Sequence, residues 1–182
     1  IEMKERLCGA CMISDTRAGP MVHAKLGIAA ENSGKLVSTV RQEARRLAEE
    51  AQRDTILLDG PPGIGCSVIA SVTGASAVVM VTEPSMSGEH DLMRTLELTK
   101  HFKVPAFVCV NKWDICPDMA EQIETKAAAA GAIVLGRIRY DSGVTDAQKQ
   151  AKAVIETGAL CASDIEDIWN NLQRHIEKET ST

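Results

Sequence analysis

Aromatic side chains are scarce in this 182-residue chain: two Trp, one Tyr and two Phe make up 3% of it, against 45% hydrophobic residues in all. The core must therefore be aliphatic, built mainly from Val, Ile, Leu and Ala. An excess of basic charge is missing too, and a net charge of −5 offers no basic face to a nucleic-acid backbone. No apolar run approaches the length needed to cross a bilayer, and no basic-then-apolar segment opens the chain. Internal repeats and low-complexity linkers are absent, so one domain spanning residues 1–182 is expected. The six cysteines are scattered rather than framed, which suits reduced thiols and a cytoplasmic location.

What is present is an alternation of strand-like and helix-like segments, the pattern of a doubly wound, mostly parallel α/β sheet flanked by helices. Cys11 to Ser14 and Met21 to Leu26 read as short strands around a Gly-Pro turn and are candidates for a hairpin. Between Gly34 and about Gln52, the residues Leu36, Val37, Val40, Ala44, Leu47, Ala48 and Ala51 recur at helical spacing, which predicts one buried face. Strands are expected at Thr55–Leu58, Ala77–Thr82, Ala106–Val110 and Ile133–Ile138, with helices near Ser67–Val72, Glu89–Phe102 and Met119–Ala130. Ser163-Asp164-Ile165-Glu166 has the form of a capping box opening a last helix, whose apolar face is Ile165, Ile168, Trp169, Leu172 and Ile176.

The densest signal is Thr55-Ile56-Leu57-Leu58-Asp59-Gly60-Pro61-Pro62-Gly63-Ile64-Gly65-Cys66. A short apolar run that ends in an acid and then a Gly/Pro hinge is how a buried parallel strand brings a carboxylate to a phosphate-bound metal. Pro61 and Pro62 stiffen the loop, and Gly63 leaves it free at one position. Asn111-Lys112-x-Asp114 follows a second apolar strand, and Tyr140-Asp141 follows a third.

Asp59 to Ser71, DGPPGIGCSVIAS, resembles the Walker B and second switch region of the MinD/ParA superfamily of P-loop ATPases. The closest likeness is to the branch with an inserted ferredoxin domain, whose members are often named after cobyrinic acid a,c-diamide synthase. Thr16 to Ala24, Glu31 to Val37, Val81-Thr82-Glu83-Pro84 and Val110 to Asp114 are similar to the same branch, in the same order. The resemblance covers roughly Cys11 to Glu156. One element of that family is absent: no segment reads G-x-x-x-x-G-K-[ST], the loop whose backbone amides cradle phosphates. Ala29 to Leu36 keeps a Gly-Lys pair but has Ala for the first Gly and Leu for the metal-binding hydroxyl. Since the family's P-loop and ferredoxin insert precede the matched region, the chain is expected to be the C-terminal portion of a longer protein, or a truncated form, with an incomplete P-loop NTPase-like fold.

The resemblance implies roles for particular residues. Asp59 would hold Mg²⁺ through water, and the Gly63 amide would sense the γ-phosphate of ATP. Asn111 would contact the base, with the Lys112 stem packing beside it and Asp114, Tyr140 and Asp141 completing the base loops; the base is expected to be adenine. Arg139 stands where the family usually has Pro, which frees an N–H and is expected to loosen that loop. Glu31-Asn32-Ser33 is expected to cap a helix, the alternative being contact with phosphate or a partner. Cys66 lies seven residues after Asp59, the offset at which the nitrogenase iron protein places a cluster-ligating cysteine, so it is a candidate iron–sulfur ligand shared between two subunits; the alternative is a small apolar residue. Cys8-Gly9-Ala10-Cys11 has part of a ferredoxin spacing and is better read as a strand-edge pair.

The complete protein is thus expected to bind ATP and Mg²⁺ in a homodimer across the nucleotide site, to hydrolyse ATP slowly, and to couple that state to an iron–sulfur or other protein partner. No nucleic-acid partner and no membrane span are expected. The fragment itself is expected to be inactive as an ATPase. Two other readings are amide ligation like that of cobyrinic acid a,c-diamide synthase, and a non-catalytic remnant that keeps the fold for binding. A further expectation is that Thr55–Leu58 closes directly on Ala77–Thr82, or that the gap is filled by a strand from another copy or from an upstream segment, because two buried ladders cannot stay unpaired.

Overall fold

A computed structural model describes residues 9–27 and 34–180, and these divide into two compact units, 1–73 and 74–182. Cys8 and the Glu31-Asn32-Ser33 segment lie outside the described residues.

In the first unit, β1 (Gly9–Thr16) and β2 (Gly19–Leu26) pair antiparallel with Thr16 opposite Gly19, leaving a two-residue turn. The Thr16 hydroxyl closes that turn by donating to the Gly19 carbonyl at 2.6 Å and accepting from the Ala18 amide at 3.2 Å, the local bonding that makes hydroxyl residues turn formers. The expected hairpin is present, with both strands longer than the apolar residues alone suggested. Helix α1 (Gly34–Glu50) carries the predicted stripe, yet none of its residues is fully buried. It meets α2 (Cys66–Val72) through Arg41, whose Nη1 donates to the Ala70 and Thr73 carbonyls at 2.5 and 2.6 Å. Those are carbonyls of the last helical turn, which need an outside donor.

The expected strand at Thr55–Leu58 is not one. Residues 55–61 take no place in either sheet of the described residues, and Leu57 is 85% exposed. A β-rich run becomes a strand only when a neighbour completes its ladder, and without one the backbone groups turn to water.

The second unit holds a parallel sheet in the order β3-β4-β5: β3 (Val78–Thr82), β4 (Ala106–Asn111) and β5 (Ile133–Ile138). Its centre is β4, where Phe107, Val108, Cys109 and Val110 are all buried; an unbroken apolar run is what a strand covered on both faces requires. One face packs Met80, Val108 and Val110 against Leu92 and Leu96 of α3 (Met86–Phe102) and Ala120, Ile123 and Ala127 of α4 (Pro117–Ala129). The other packs Phe107 and Leu135 against Leu172 and Ile168 of the last helix. Burying an aliphatic side chain of this kind contributes roughly 1.5–3 kcal/mol, so β4 and its two covers supply most of this unit's cohesion. Gly136 sits at a register shift in β5 with φ 146°, and a Cβ there would come within 3.4 Å of Ile168 Cγ1. Only glycine admits both that backbone angle and that approach without strain.

Two helix starts move from their expected places. Ser85 caps α3 by accepting from the Gly88 amide at 3.0 Å, so the helix opens at Met86 rather than near Glu89. Helix α5 (Gly143–Lys149) has too short an apolar pattern to be read from sequence. The last helix, α6, spans Cys161–Thr180, so Ser163-Asp164-Ile165-Glu166 lies inside it and is not its capping box. The cap comes from far along the chain, since the Cys161 amide donates to Asp141 Oδ2 at 3.2 Å. Direct closure of Thr55–Leu58 on the Ala77–Thr82 strand does not occur either: β3 is an edge strand, and Val81 is 62% exposed.

Candidate functional site

Parallel strands end on one edge of their sheet, so the loops after β3, β4 and β5 are neighbours by construction. Glu83 follows β3, Asn111 closes β4, Lys112 turns the chain with φ 54°, and a 3-10 turn Trp113–Ile115 follows. Residues 139–142 then lead from β5 into α5. Asn111, Lys112, Asp114, Tyr140 and Asp141, singled out by sequence, are thereby gathered at one end of the second unit.

Hydrogen bonds between sequence-distant residues fix these loops. Lys112 Nζ reaches Glu83 Oε1 at 2.6 Å. The Tyr140 amide donates to Asp114 Oδ1 at 2.7 Å, joining the β4 loop to the β5 loop. Asp141 accepts from the Gly143 amide at 2.7 Å through Oδ1 and from the Cys161 amide through Oδ2. These amides, Gly143 first, hold the Asp141 carboxyl below its usual range, because they bond the ionised form. Burial, then the charge of Asp141, pushes the Cys161 thiol up. Beneath the 3-10 turn, Arg137 forks onto Glu124 at 2.7 and 2.6 Å and lies 5.3 Å from the centre of the Trp113 ring, a cation–π contact that anchors the turn.

Arg139 does the opposite of what its replacement of proline suggested. Its amide donates to Asp164 Oδ2 at 3.0 Å, while Nε and Nη2 donate to Oδ2 and Oδ1, each at 2.7 Å. The N–H that a proline would lack is used, and the loop is fastened to α6 rather than loosened. Neither Asp164 nor Glu83 had a role assigned by sequence, since each meets its partner 25 or 29 residues away and no local periodicity records such a pair.

Two features describe what this end can bind. Its cations Lys112 and Arg139 both lie on carboxylates, while the Asn111 side-chain amide has no protein partner among the described residues. Beside the β5 loop lies an open cleft of about 350 Å³ lined by Asp141, Ser142, Asp146, Gln150, Thr157 and Leu160, without a cation. A neutral ring with donors and acceptors suits such a surface better than phosphates do.

Asp59, Gly63 and Cys66 belong to the first unit, on the segment that leads into α2. Asp59 is exposed and has no hydrogen bond or ion pair among the described residues. Gly63 has φ 92°, with nothing within 4 Å of where a Cβ would stand. An unpaired carboxylate beside such a hinge fits an oxygen ligand for a hard cation. Cys66 is exposed at the first turn of α2, and no group of three or more His, Cys, Asp or Glu able to hold a metal is found among the described residues. The described residues of one chain bring no set of thiols or other ligand groups to Cys66 for an iron–sulfur cluster.

The structure is similar to the MinD cell division protein of Aquifex aeolicus, with a TM-score of 0.65 and 19% identity over 88% of this chain and 68% of that one. The fold is MinD-like. A MinC:MinD cell division protein complex from the same organism also aligns, with a TM-score of 0.56 and 18% identity over 79% of this chain and 58% of that one. In sequence, an uncharacterized protein of Methanocaldococcus jannaschii is 28% identical over 93 residues, which are 51% of this chain and 32% of that protein. The chain thus spans about a third of the curated relative it matches. No family model matches the chain. Within the MinD-like fold the expected α/β class is present, and no helix among the described residues is long and apolar enough to cross a membrane.

Proposed function

We propose that this chain is the nucleotide-binding and switch portion of a MinD-like ATPase, from the branch with an inserted ferredoxin domain, and that both units serve one nucleotide-binding domain. The observation that carries the reading is the gathering of Asn111, Lys112, Asp114, Tyr140 and Asp141 at the carboxyl ends of β4 and β5, where open α/β sheets bind ligands. The free Asn111 amide can pair with the donor and acceptor edge of adenine. Tyr140, 57% exposed, offers a ring for it to rest on.

Asp59 takes Mg²⁺ through water in this reading, and Gly63 gives the switch loop its freedom. The metal, when bound, neutralises phosphate charge. Every other step assigned to the chain is positioning of base and loop. The phosphate cradle is supplied outside residues 1–182. Its absence here also supports the second reading, a fold kept for binding alone. A MinC:MinD complex among the structural neighbours is in keeping with a protein partner for the complete protein, and a homodimer across the nucleotide site belongs to the same proposal. An iron–sulfur partner would need thiols from another copy beside Cys66.

The test is made on the full-length protein. ATP should bind, and Asp59→Ala should lower turnover by roughly 10- to 100-fold, the scale for losing an outer-sphere metal partner, with an unchanged melting temperature. Full turnover in Asp59→Ala removes the role given to Asp59. Binding without any turnover in the unsubstituted protein favours the binding-only reading.

A further inference from the structure

The Arg139–Asp164 fork has a geometry that stability does not explain. Three donors of one residue, its main-chain amide and two guanidinium nitrogens, converge on a single carboxylate. The Arg139 side chain is 44% exposed and that of Asp164 13%, and ion pairs so placed, only partly desolvated, contribute modestly to folding. Their chemistry is geometric: a planar fork on a carboxylate fixes orientation as well as distance. The next residue repeats the arrangement from another element, with the Tyr140 amide on Asp114 Oδ1.

Consecutive amides are therefore aimed at carboxylates belonging to α6 and to the 3-10 turn after β4. The peptide units on either side of the Arg139 Cα are each held at their N–H, so the backbone angles at Arg139, which lead into Tyr140, are set before any ligand arrives. The α6 anchor is itself referenced to the core, because Ile168 and Leu172 pack on Phe107 and Leu135.

We propose that Arg139 and Asp164 are positioning residues for the base loop, holding residues 139–141 so that Tyr140 is presented to a purine ring; this rests on the nucleotide reading above. The gain is in preorganisation, since a loop already ordered loses less freedom on binding. Asp164 carries the main-chain bond and the fork, Arg139 only the fork. Removal of Asp164 therefore has the larger effect.

Two measurements separate this from a structural role. In the 182-residue chain without ligand, Asp164→Ala should speed hydrogen exchange of the Arg139 and Tyr140 amides at least about tenfold, with β5 amides and melting temperature unchanged. In the full-length protein, ATP should bind about tenfold more weakly to Asp164→Ala and about threefold more weakly to Arg139→Ala. Asp164→Asn, which keeps an acceptor for the amide, should fall between wild type and Asp164→Ala. Unchanged ATP affinity in Asp164→Ala overturns the proposal even if exchange quickens, and so does a loss that tracks a lowered melting temperature across the three variants. Failure of the unsubstituted full-length protein to bind ATP is a different result: it removes the nucleotide reading and the proposal with it.

Discussion

Asp114, Asp141 and Asp164 have one chemistry in common: each accepts one or more backbone amides at the C-terminal end of the sheet. Asp114 and Asp141, unlike Asp164 inside α6, were legible as candidates, because an acid just beyond a buried strand is where ligands gather. Their partners were not, since Tyr140 meets Asp114 across 26 residues and Arg139 meets Asp164 across 25. The same limit produced the wrong expectation at Arg139. Lack of a proline ring frees an N–H, but whether that N–H loosens a loop depends on what stands opposite it. Cysteines divide by burial in a way that can be checked at this scale. Burial pushes the Cys109 thiol up to about 11, so at neutral pH almost none of it is the reactive thiolate. Cys161 is fully buried, whereas Cys66 and Cys116 are exposed. Brief alkylation of the native chain at pH 7.5, read by peptide mapping, should mark Cys66 and Cys116 and spare Cys109 and Cys161 until denaturant is added. A native Cys66 that resists the reagent would return it to the role of a small packing residue.

Elements with a complete environment in the chain were readable, and those without one were not. The β4 run and the helix faces that cover it were evident from apolar spacing, because their neighbours all lie between residues 77 and 180. The segment 55–58 has an equally strong strand pattern and forms no ladder. Strand propensity expresses fitness for a sheet surface and cannot create the neighbour. Among the described residues the sheet ends at β3 on an unpaired ladder, and Val78–Thr82 contains no Lys or Pro to discourage pairing. Such an edge is a template for another strand. The isolated 182-residue chain should therefore self-associate as its concentration rises, and Val81→Lys should suppress that association several-fold. The side chain at 81 is largely outside the core, so the melting temperature should stay within about 2 °C of the unsubstituted chain. Light scattering across a dilution series decides it: a chain that stays monomeric throughout has an edge protected by some other means.

At the scale of the whole molecule, the question is how much binding these residues can supply without a phosphate cradle. The residues proposed to contact the base cluster after β4 and β5, yet Lys112 and Arg139 at that end are already paired with carboxylates. Drawing Lys112 or Arg139 onto a phosphate would break an existing ion pair, so the gain in Coulomb energy would be largely cancelled. Asp59 is the metal ligand of the proposed reading, and a single outer-sphere carboxylate holds Mg²⁺ weakly unless phosphates share it. What remains is recognition of the base, worth about 4 kcal/mol at a dissociation constant of about 1 mM. The isolated chain should thus bind ATP at about 1 mM or more weakly, and adenosine, ADP and ATP should differ by less than about threefold, because Lys112 and Arg139 are already paired with carboxylates. Calorimetry with the three ligands checks both statements. A micromolar constant, or a steep rise in affinity with each added phosphate, would mean that the chain builds its own phosphate site and would defeat the view that the cradle is supplied from outside these residues.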